Sequence, residues 1–273
     1  MTKFGYIFDC FIDAPKIIKD AKLKKYYLIP GIIGFLLFIM AIQGYLRLTR
    51  FTGKYFTTLA AERDFSGSIF GTALNYLINF LAISDKFIIP IVLAIIFFFV
   101  FKPILIVLIS PILSFLSEKI DEHLTNNKFE FSLKDNIKFI LRGLKIGVIC
   151  FLKQIIGTII LILIGFIPII GLLSPILIFL IQSYFTGFAF MDYTLERYQF
   201  STKDSMKFIR KKRSYSVICG CVFTLLLIIP FIGIFIAPLI TCAAVTKLTI
   251  FLIKDDDEYS DFLTMKTDPS QIK

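Results

Sequence analysis

The sequence predicts an all-α integral membrane protein with two long transmembrane helices and two re-entrant, or hemi-penetrating, helical hairpins. Hydrophobic residues make up 57% of the chain and lie in long uncharged blocks, whereas a soluble domain has about 45–50% apolar residues interleaved with charges. Two of the blocks are interrupted by proline and glycine at matching positions. These observations exclude a soluble globular fold and indicate a single membrane domain over residues 1–253.

The uncharged segment 154–191 is too long to cross a bilayer once. Its 38 residues would form a straight helix of about 57 Å, whereas the hydrocarbon core is about 30 Å thick. A reversal is expected at Pro168, Gly171 and Pro175, because proline lacks a backbone donor and glycine permits left-handed geometry. The intervening residues are Ile and Leu, so the turn is predicted to lie inside the bilayer or the protein. Each arm has only about 13–16 residues, near or below the usual minimum of about 17.

A second copy of this pattern predicts an internal duplication. Pro230, Gly233 and Pro238 repeat the broken turn, and residues 131–140 match residues 200–209 at seven of ten positions. Two matched blocks in the same order indicate a repeated structural unit. Each unit is expected to be a capped basic helix followed by a hairpin, over residues 131–191 and 200–253.

The other segments follow from charge and run length. Before the repeats we expect a basic amphipathic helix (1–25), a first transmembrane helix (26–46), a loop on the opposite side (47–86) and a second transmembrane helix (87–117). After the repeats, the acidic segment 254–273 is predicted to be a disordered tail. In the first repeat, Ser132 and Asp135 resemble a capping box before an interfacial basic helix.

Positive charge predicts orientation. The chain carries a formal net charge of +10, which in a membrane protein sets topology and attracts anionic lipid, so nucleic-acid binding is not favoured. Segments 1–25, 118–153 and 192–213 carry 6, 7 and 7 Lys and Arg residues, against 5 in the segment 47–86. Both termini are therefore expected in the cytoplasm, with the protein in the cytoplasmic (inner) membrane. The charge excess is modest, so an inverted or dual orientation is the alternative.

The sequence contains no pattern typical of an enzyme. There is no nucleophile elbow, phosphate-binding glycine loop or metalloprotease helix. His123 is the only histidine, and the five cysteines form no metal-binding spacing. Buried small hydrophobes are the favoured interpretation of the cysteines, with a redox or metal pair at Cys219 and Cys221 as the alternative. No catalytic residue, metal or cofactor is expected.

Polar residues near the apolar blocks are candidates for an anion path. Lys102, Gln154 and Gln182 lie in or beside uncharged segments, although Lys102 has the alternative of snorkelling to the interface. Lys24 and Lys25 precede the first long helix. Free amides at a helix N-terminus beside two ammonium groups attract an oxyanion; the alternative is that both lysines anchor the helix to lipid phosphates.

Four segments together resemble the CysZ family of sulfate permeases, within the etoposide-induced-protein superfamily. They are residues 110–118, 166–175, 191–197 and 229–238, in that order along residues 5–253. The resemblance implies two long transmembrane helices, two hemi-penetrating hairpins, sulfate uptake for cysteine synthesis and homo-oligomers. It also implies sulfate binding by a basic pair, which falls on Lys24 and Lys25. The family pair is often arginine, and lysine lacks arginine's planar fork for an oxyanion.

Two functions are consistent with these features. The first is a permease or channel for sulfate or a related oxyanion. The alternative is a membrane scaffold or a stress or envelope-homeostasis protein of the same superfamily, because hairpins that only bury apolar surface need the same residues.

Overall fold

The computed structural model of the chain describes residues 5–62, 72–76, 80, 88–126, 133–165, 167, 170–229 and 232–264. Within these ranges the chain forms helices joined by turns and no strand, so the predicted all-α class is confirmed. In chain order they are α1 (Gly5–Asp20), a 3₁₀ helix (Lys24–Tyr27), α2 (Leu28–Glu62), α3 (Ile88–Thr125), α4 (Leu133–Gly165), α5 (Ile170–Arg197), α6 (Thr202–Lys211), α7 (Arg213–Ile228), α8 (Ile232–Lys254) and α9 (Asp261–Thr264).

Five of the described helices are long and apolar enough to cross a membrane, which makes this an integral membrane protein. The candidate spans are Lys24–Tyr55, Val100–Thr125, Leu141–Gly165, Gly171–Arg197 and Ile232–Lys254. The arms of the predicted hairpins are therefore longer than expected, apart from α7, which has 16 residues. Uncharged run length was a poor guide to helix length, because a helix continues past its apolar stretch into charged residues with good helix propensity.

The same effect moves the ends of the two predicted transmembrane helices. Helix α2 continues to Glu62, so Arg47 and Arg50 belong to a helix and the predicted loop does not begin at residue 47. Helix α3 continues to Thr125, past the predicted end at residue 117. Residues 72–76 are also helical, while most of the remaining predicted loop lies outside the described residues.

The two predicted repeats differ in how the basic helix joins the hairpin. In the first repeat, the basic helix and the first arm of the hairpin are one continuous helix, α4, of 33 residues. In the second, α6 ends at Lys211 and α7 begins at Arg213. The Ser201 hydroxyl caps α6 by accepting a hydrogen bond from the amide of Asp204 at 3.2 Å, while the corresponding Ser132 lies outside the described residues. The internal duplication stays a prediction.

The hairpin turns use glycine for close backbone approach. A Cβ atom at Gly171 would overlap the carbonyl oxygen of Gly165, and one at Gly233 would overlap that of Leu226. No described glycine has a positive φ, so the left-handed backbone expected at the two turns is not adopted. Glycine is needed at these positions because one helix ends and the next begins within a few residues, which brings the backbones too close together for a side chain.

The prolines assigned to the turns are partly misplaced. Pro175 lies inside α5 and Pro238 inside α8, so the sequence-based assignment of these two to the turns is wrong. Each falls within the first two turns of its helix, where a proline removes one backbone hydrogen bond without breaking the helix. Pro168 and Pro230 lie outside the described residues.

The chain forms two compact units. One is Phe35–Pro103, and the other, here called the main unit, combines Met1–Gly34 with Ile104–Lys273. Within Phe35–Pro103, the Tyr45 hydroxyl donates to the carbonyl of Pro90 at 3.2 Å. The rings of Phe38 and Phe101 meet edge-on at 5.9 Å, so these contacts join α2 to α3 there.

Helix α8 forms the centre of the main unit. It packs against α1, α5 and α7, and its buried side chains include small residues such as Ala237, Ala243 and Ala244. Helices α4 and α5 carry large apolar side chains on the outside, among them Leu163 and Leu172, which are 63% and 81% exposed. An apolar exterior around a small-residue core is typical of a protein whose solvent is lipid.

Helices α5 and α7 approach each other through glycine and serine. A Cβ atom at Gly220 would overlap the carbonyl oxygen of Ser183, and one at Gly187 would overlap that of Ser216. The Ser216 hydroxyl donates to the carbonyl of Tyr184 at 2.8 Å. Each helix thus presents a small residue every four positions, the pattern that allows membrane helices to touch backbone to backbone.

The acidic tail is ordered over residues 254–264, contrary to the expectation of disorder for the whole segment. Asp256 accepts from Lys211 at 2.8 Å and pairs with Lys212 at 3.1 Å. Tyr259 is 3% exposed, and its ring stacks on Phe200 at 5.5 Å. An acidic segment against a basic helix explains the order, since charge pairing and aromatic burial offset the entropy of fixing the chain. Residues 265–273 lie outside the described residues.

We expect Gly220→Ala to destabilise the protein by about 1–3 kcal/mol, the usual cost of overpacking. The added methyl group cannot fit against the Ser183 carbonyl, so α5 and α7 must separate. Thermal melting in detergent measures the loss. Gly44→Ala is the control, because no atom lies within 4 Å of a Cβ there and alanine favours the helix by up to about 1 kcal/mol. Equal melting of both variants would contradict the tight crossing.

We expect Asp256→Asn to release the tail from α6. Although burial opposes ionisation, hydrogen bonds from Lys211 and Lys212 lower the pKa of Asp256. The stability that Asp256 gives to the docked tail is therefore fully present above its unfolded pKa of about 3.9, and it is lost as the pH falls through its lower pKa in the folded protein. Amide hydrogen exchange over residues 256–264 should accelerate at least about tenfold at pH 7 if the docked state loses about 1.4 kcal/mol.

Asp257→Asn is the matched control for this prediction. The Asp257 side chain is exposed and forms no ion pair with the described residues. The Asp257→Asn substitution should leave amide hydrogen exchange over the tail unchanged. Slow exchange in both variants would show that the aromatic contacts alone hold the tail.

Candidate anion-binding site

The predicted basic pair lies where α1 ends and the first long helix begins. Lys24 and Lys25 open the 3₁₀ helix, which leads directly into α2 at Leu28, and both are exposed. Neither ammonium group forms an ion pair or hydrogen bond with the part of the chain that the structure describes. The Nζ atom of Lys25 lies 5.2 Å from the centroid of the Tyr26 ring. Two adjacent positive charges are therefore available to an anion.

A tight reversal at the end of α1 positions this pair. Lys22 adopts φ 58°, and the amide of Leu23 donates to the carbonyl of Ile18 at 2.9 Å, as in a Schellman motif. The Leu23 side chain is 4% exposed, and the Tyr26 ring lies 5.7 Å from that of Phe115. Both side chains anchor the short segment that carries the lysines, so its backbone is held on either side.

A wide cavity next to this reversal has a balanced charge. It has a volume of about 370 Å³ and is lined by Asp20, Ala21, Lys22, Lys119, Glu122, His123 and Asn126. Lys119 donates to Glu122 at 2.7 Å. Two lysines face two carboxylates, so the cavity has no net attraction for an oxyanion. No group of three metal-ligating side chains occurs among the described residues.

The C-terminal end of α5 carries a buried ion pair. Arg197 Nε lies 3.4 Å from Asp121 Oδ2, and its Nη2 donates to the Ser117 hydroxyl at 2.6 Å. Ser117 in turn lies 2.7 Å from the Thr246 hydroxyl. Burial raises the pKa of Tyr198 above its usual value, so its hydroxyl stays protonated and donates to Asp121 at 2.9 Å. The network joins α3, α5 and α8.

A second arginine lies beside two further carboxylates of α5. Arg142 Nη2 donates to the Ser205 hydroxyl at 3.0 Å and lies 3.6 Å from Asp192 Oδ1. Glu196 is one helical turn beyond Asp192 and is 0% exposed, and Gly143 lies against its carboxylate. Glu196 directly precedes Arg197 in the chain, so the residues around Arg142 and those around Arg197 form one buried cluster.

The two arginines of this cluster are already engaged. Asp121, Asp192 and Glu196 lie around Arg142 and Arg197, and both guanidinium groups contact carboxylate or hydroxyl oxygens. An oxyanion placed here would have to displace these partners inside a buried site. The cluster therefore connects helices, whereas the lysine pair is exposed.

The predicted path residues are buried but do not form one described site. Gln154 on α4 and Gln182 on α5 are each 3% exposed, and their amide nitrogens have no hydrogen-bond partner among the described residues. Lys102 is 4% exposed and belongs to the Phe35–Pro103 unit. The structure thus places Gln154 and Gln182 on two packed helices and Lys102 in the other unit.

Sequence reasoning assigned no role to the buried cluster. Asp192, Glu196 and Arg197 follow directly on an uncharged segment, and ionisable residues at such a position are a functional signal in membrane proteins. Arg142 falls on the basic helix that the sequence predicts after Asp135 and that was expected to lie on the membrane surface, because spacing along a helix does not show which face another helix covers. The partner Asp121 is far away in the chain and has no local signal.

Comparison with known proteins identifies the family. The family model described as Sulfate transporter CysZ/Etoposide-induced protein 2.4 matches residues 10–238. A protein of Pseudomonas fluorescens Pf-5 named Sulfate transporter CysZ is 30% identical over 165 residues, which are 58% of this chain and 63% of the relative. Its namesake in strain Pf0-1 is 28% identical over 172 residues, which are 60% and 65% of the two chains.

A third protein of that name, from strain SBW25, is 27% identical over 164 residues, which are 58% of this chain and 61% of the relative. The chain thus matches slightly less than two thirds of the length of these relatives. The family model, by contrast, covers most of the chain, including the lysine pair, the buried cluster and both hairpin turns. The chain belongs to the Sulfate transporter CysZ/Etoposide-induced protein 2.4 family.

Proposed function

We propose that the protein is a permease or channel of the cytoplasmic membrane for an inorganic oxyanion, namely sulfate for cysteine synthesis. The observation that carries this proposal is the accessible Lys24–Lys25 pair at the start of the first long helix. Relatives named for sulfate transport support the choice of substrate. Transport needs no cofactor in this proposal, because a bound anion can pass down its own gradient or with a coupled ion.

The physics of the lysine pair favours a divalent oxyanion. Two adjacent ammonium groups present up to six donors, and each charge-assisted hydrogen bond to sulfate contributes about 1.5–3 kcal/mol before screening. Both side chains are exposed, so solvent and salt reduce this figure. The site therefore suits weak, reversible binding of the anion at one end of its path. Gln154 and Gln182 are proposed to line the path beyond it, because their buried amide nitrogens have no hydrogen-bond partner among the described residues and suit a polar occupant.

We further propose that both hairpins are re-entrant. Helix α7 has 16 residues and measures roughly 24 Å, less than the hydrocarbon thickness of about 30 Å. The side chains at the turns are apolar and exposed from the protein, as shown by Leu172 at 81%, Ile228 at 58% and Ile232 at 56%. A turn that emerged among headgroups would carry polar residues, so these tips suit the hydrocarbon.

Re-entrant hairpins return the chain to the side it left, which determines the proposed orientation. The termini and the basic segments then share one side, and the positive-inside rule makes that side the cytoplasm. We also propose a homo-oligomer, as the family resemblance implies.

Cysteines at the hairpin tips test the topology. We expect Leu172→Cys and Ile232→Cys to resist a membrane-impermeant thiol reagent from both sides, because both side chains point away from the protein and only lipid can cover them. A permeant maleimide should label both. Lys203→Cys, exposed on α6, is the control that reacts from one side. Fast labelling of either tip by the impermeant reagent would show that the hairpins cross completely.

The lysine pair is tested by isothermal titration of purified protein with sulfate. Replacing Lys24 and Lys25 together by Gln should weaken binding at least about tenfold, since a loss of 1.4 kcal/mol suffices. Replacing both by Arg should retain or tighten binding, because the guanidinium adds a bidentate fork. Lys16→Gln with Lys19→Gln removes two exposed charges from α1 and should leave sulfate affinity within about twofold.

Sulfate flux into proteoliposomes completes this test. The double Gln variant should lose flux in parallel with affinity, whereas lipid anchoring would reduce insertion and leave the affinity of the purified protein unchanged. A wild-type protein that binds no sulfate and carries no flux would leave the scaffold alternative as the function.

A further inference from the structure

A second basic site lies in a cavity between α4, α5 and α6. The cavity has a volume of about 250 Å³, and its lining includes Lys153, Tyr184, Phe188, Thr202, Met206 and Arg210. Two of these side chains are cationic and two carry a hydroxyl, while the others are apolar. The lining thus suits a molecule with an anionic part and an apolar part.

The two cations of this cavity are available. On α6, the neighbouring Lys207 and Lys211 are neutralised by Glu258 and Asp256 of the docked tail. Arg210 lies between them in sequence yet forms no ion pair or hydrogen bond with the described residues, and the same holds for Lys153 on α4. The tail therefore neutralises Lys207 and Lys211 on α6 but not Arg210, which lines the cavity.

The size of the cavity and its surroundings indicate a ligand that extends beyond it. A volume of about 250 Å³ is below the lower end of roughly 300 Å³ for pockets that enclose a whole small molecule. Beside the lining residues of α4, Val148, Leu152 and Ile156 form an exposed apolar stripe at four-residue spacing, with 39%, 51% and 57% exposure. An acyl chain that leaves the cavity would find an apolar surface along α4.

We propose that this cavity binds an anionic membrane phospholipid, with its phosphate between Lys153 and Arg210 and its proximal chain against the apolar lining. Basic pockets between membrane helices suit anionic headgroups, and the cytoplasmic leaflet supplies them. A free phosphate or sulfate ion shares the headgroup chemistry but would leave the apolar lining without a partner. The site is separate from Lys24 and Lys25 and does not depend on their proposed role.

Lipid titration of the full chain in neutral detergent tests the site. Phosphatidylglycerol is the probe, phosphatidylcholine the zwitterionic comparison, and native mass spectrometry counts bound lipid. Lys153→Gln with Arg210→Gln should weaken phosphatidylglycerol binding at least about tenfold and leave phosphatidylcholine unchanged. Lys203→Gln with Arg213→Gln is matched, since it also removes one exposed lysine and one exposed arginine near α6 without touching the cavity, and should change binding by less than about twofold.

Equal weakening in both double variants would overturn the proposal in favour of general surface charge. A competition experiment with inorganic sulfate or phosphate is the second part of the test. If either ion displaces phosphatidylglycerol at equal ionic strength, and the cavity variant loses binding of the ion, the cavity is a site for a free oxyanion and the proposal is wrong. Retained lipid binding in the cavity variant would also overturn it.

A measurement on the wild-type chain avoids any dependence on the folding of variants. A phosphatidylglycerol analogue with a diazirine in the first part of its acyl chain should label peptides that contain Phe188 or Met206, and excess phosphatidylglycerol should suppress this labelling. The phosphatidylcholine analogue should label the outer surface of α4 without this preference. Identical labelling patterns for the two analogues would contradict a headgroup-selective site.

Discussion

The structure of the main unit depends on the close crossing of α5 and α7. In lipid, burying apolar side chains gives little advantage over leaving them among acyl chains, so helices associate through backbone proximity and interhelical hydrogen bonds. Gly187 and Gly220 supply the proximity, each against a serine of the other helix, and Ser216 supplies the hydrogen bond. The crossing holds the two hairpins together, and α8 packs against both α5 and α7.

This crossing also places the charged end of α5 where its partners can reach it. A buried guanidinium or carboxylate is costly unless it is paired and fully hydrogen-bonded. Arg197 is paired with Asp121 and hydrogen-bonded to Ser117 on α3. Arg142 bonds to Ser205 of α6 through Nη2, while its Nε has no hydrogen-bond partner among the described residues. The cluster thus joins helices inside the protein, whereas Lys24 and Lys25 stay exposed at its surface.

Much of the architecture was predictable from local pattern, because run length, charge and paired proline and glycine positions each act within one segment. The helix class and the existence of two turns followed from these signals. The partners across helices did not, since nothing near Gly187 in the chain shows that it will meet Ser216. The position of Lys24 before the first long helix was predictable, whereas the pairing of Asp121 with Arg197 needed the fold. Helix ends were misjudged because charged residues extend helices beyond the bilayer.

The docked tail has a consequence for the order in which the protein is made. Lys211 and its partner Asp256 are 45 residues apart, so at synthesis rates of about 5–20 residues per second the lysine emerges roughly 2–9 s before its carboxylate. During that interval Lys211 lacks the carboxylates of Asp256 and Glu258 with which it pairs in the folded protein. Docking of the tail against α6 can therefore only follow the synthesis of α7 and α8.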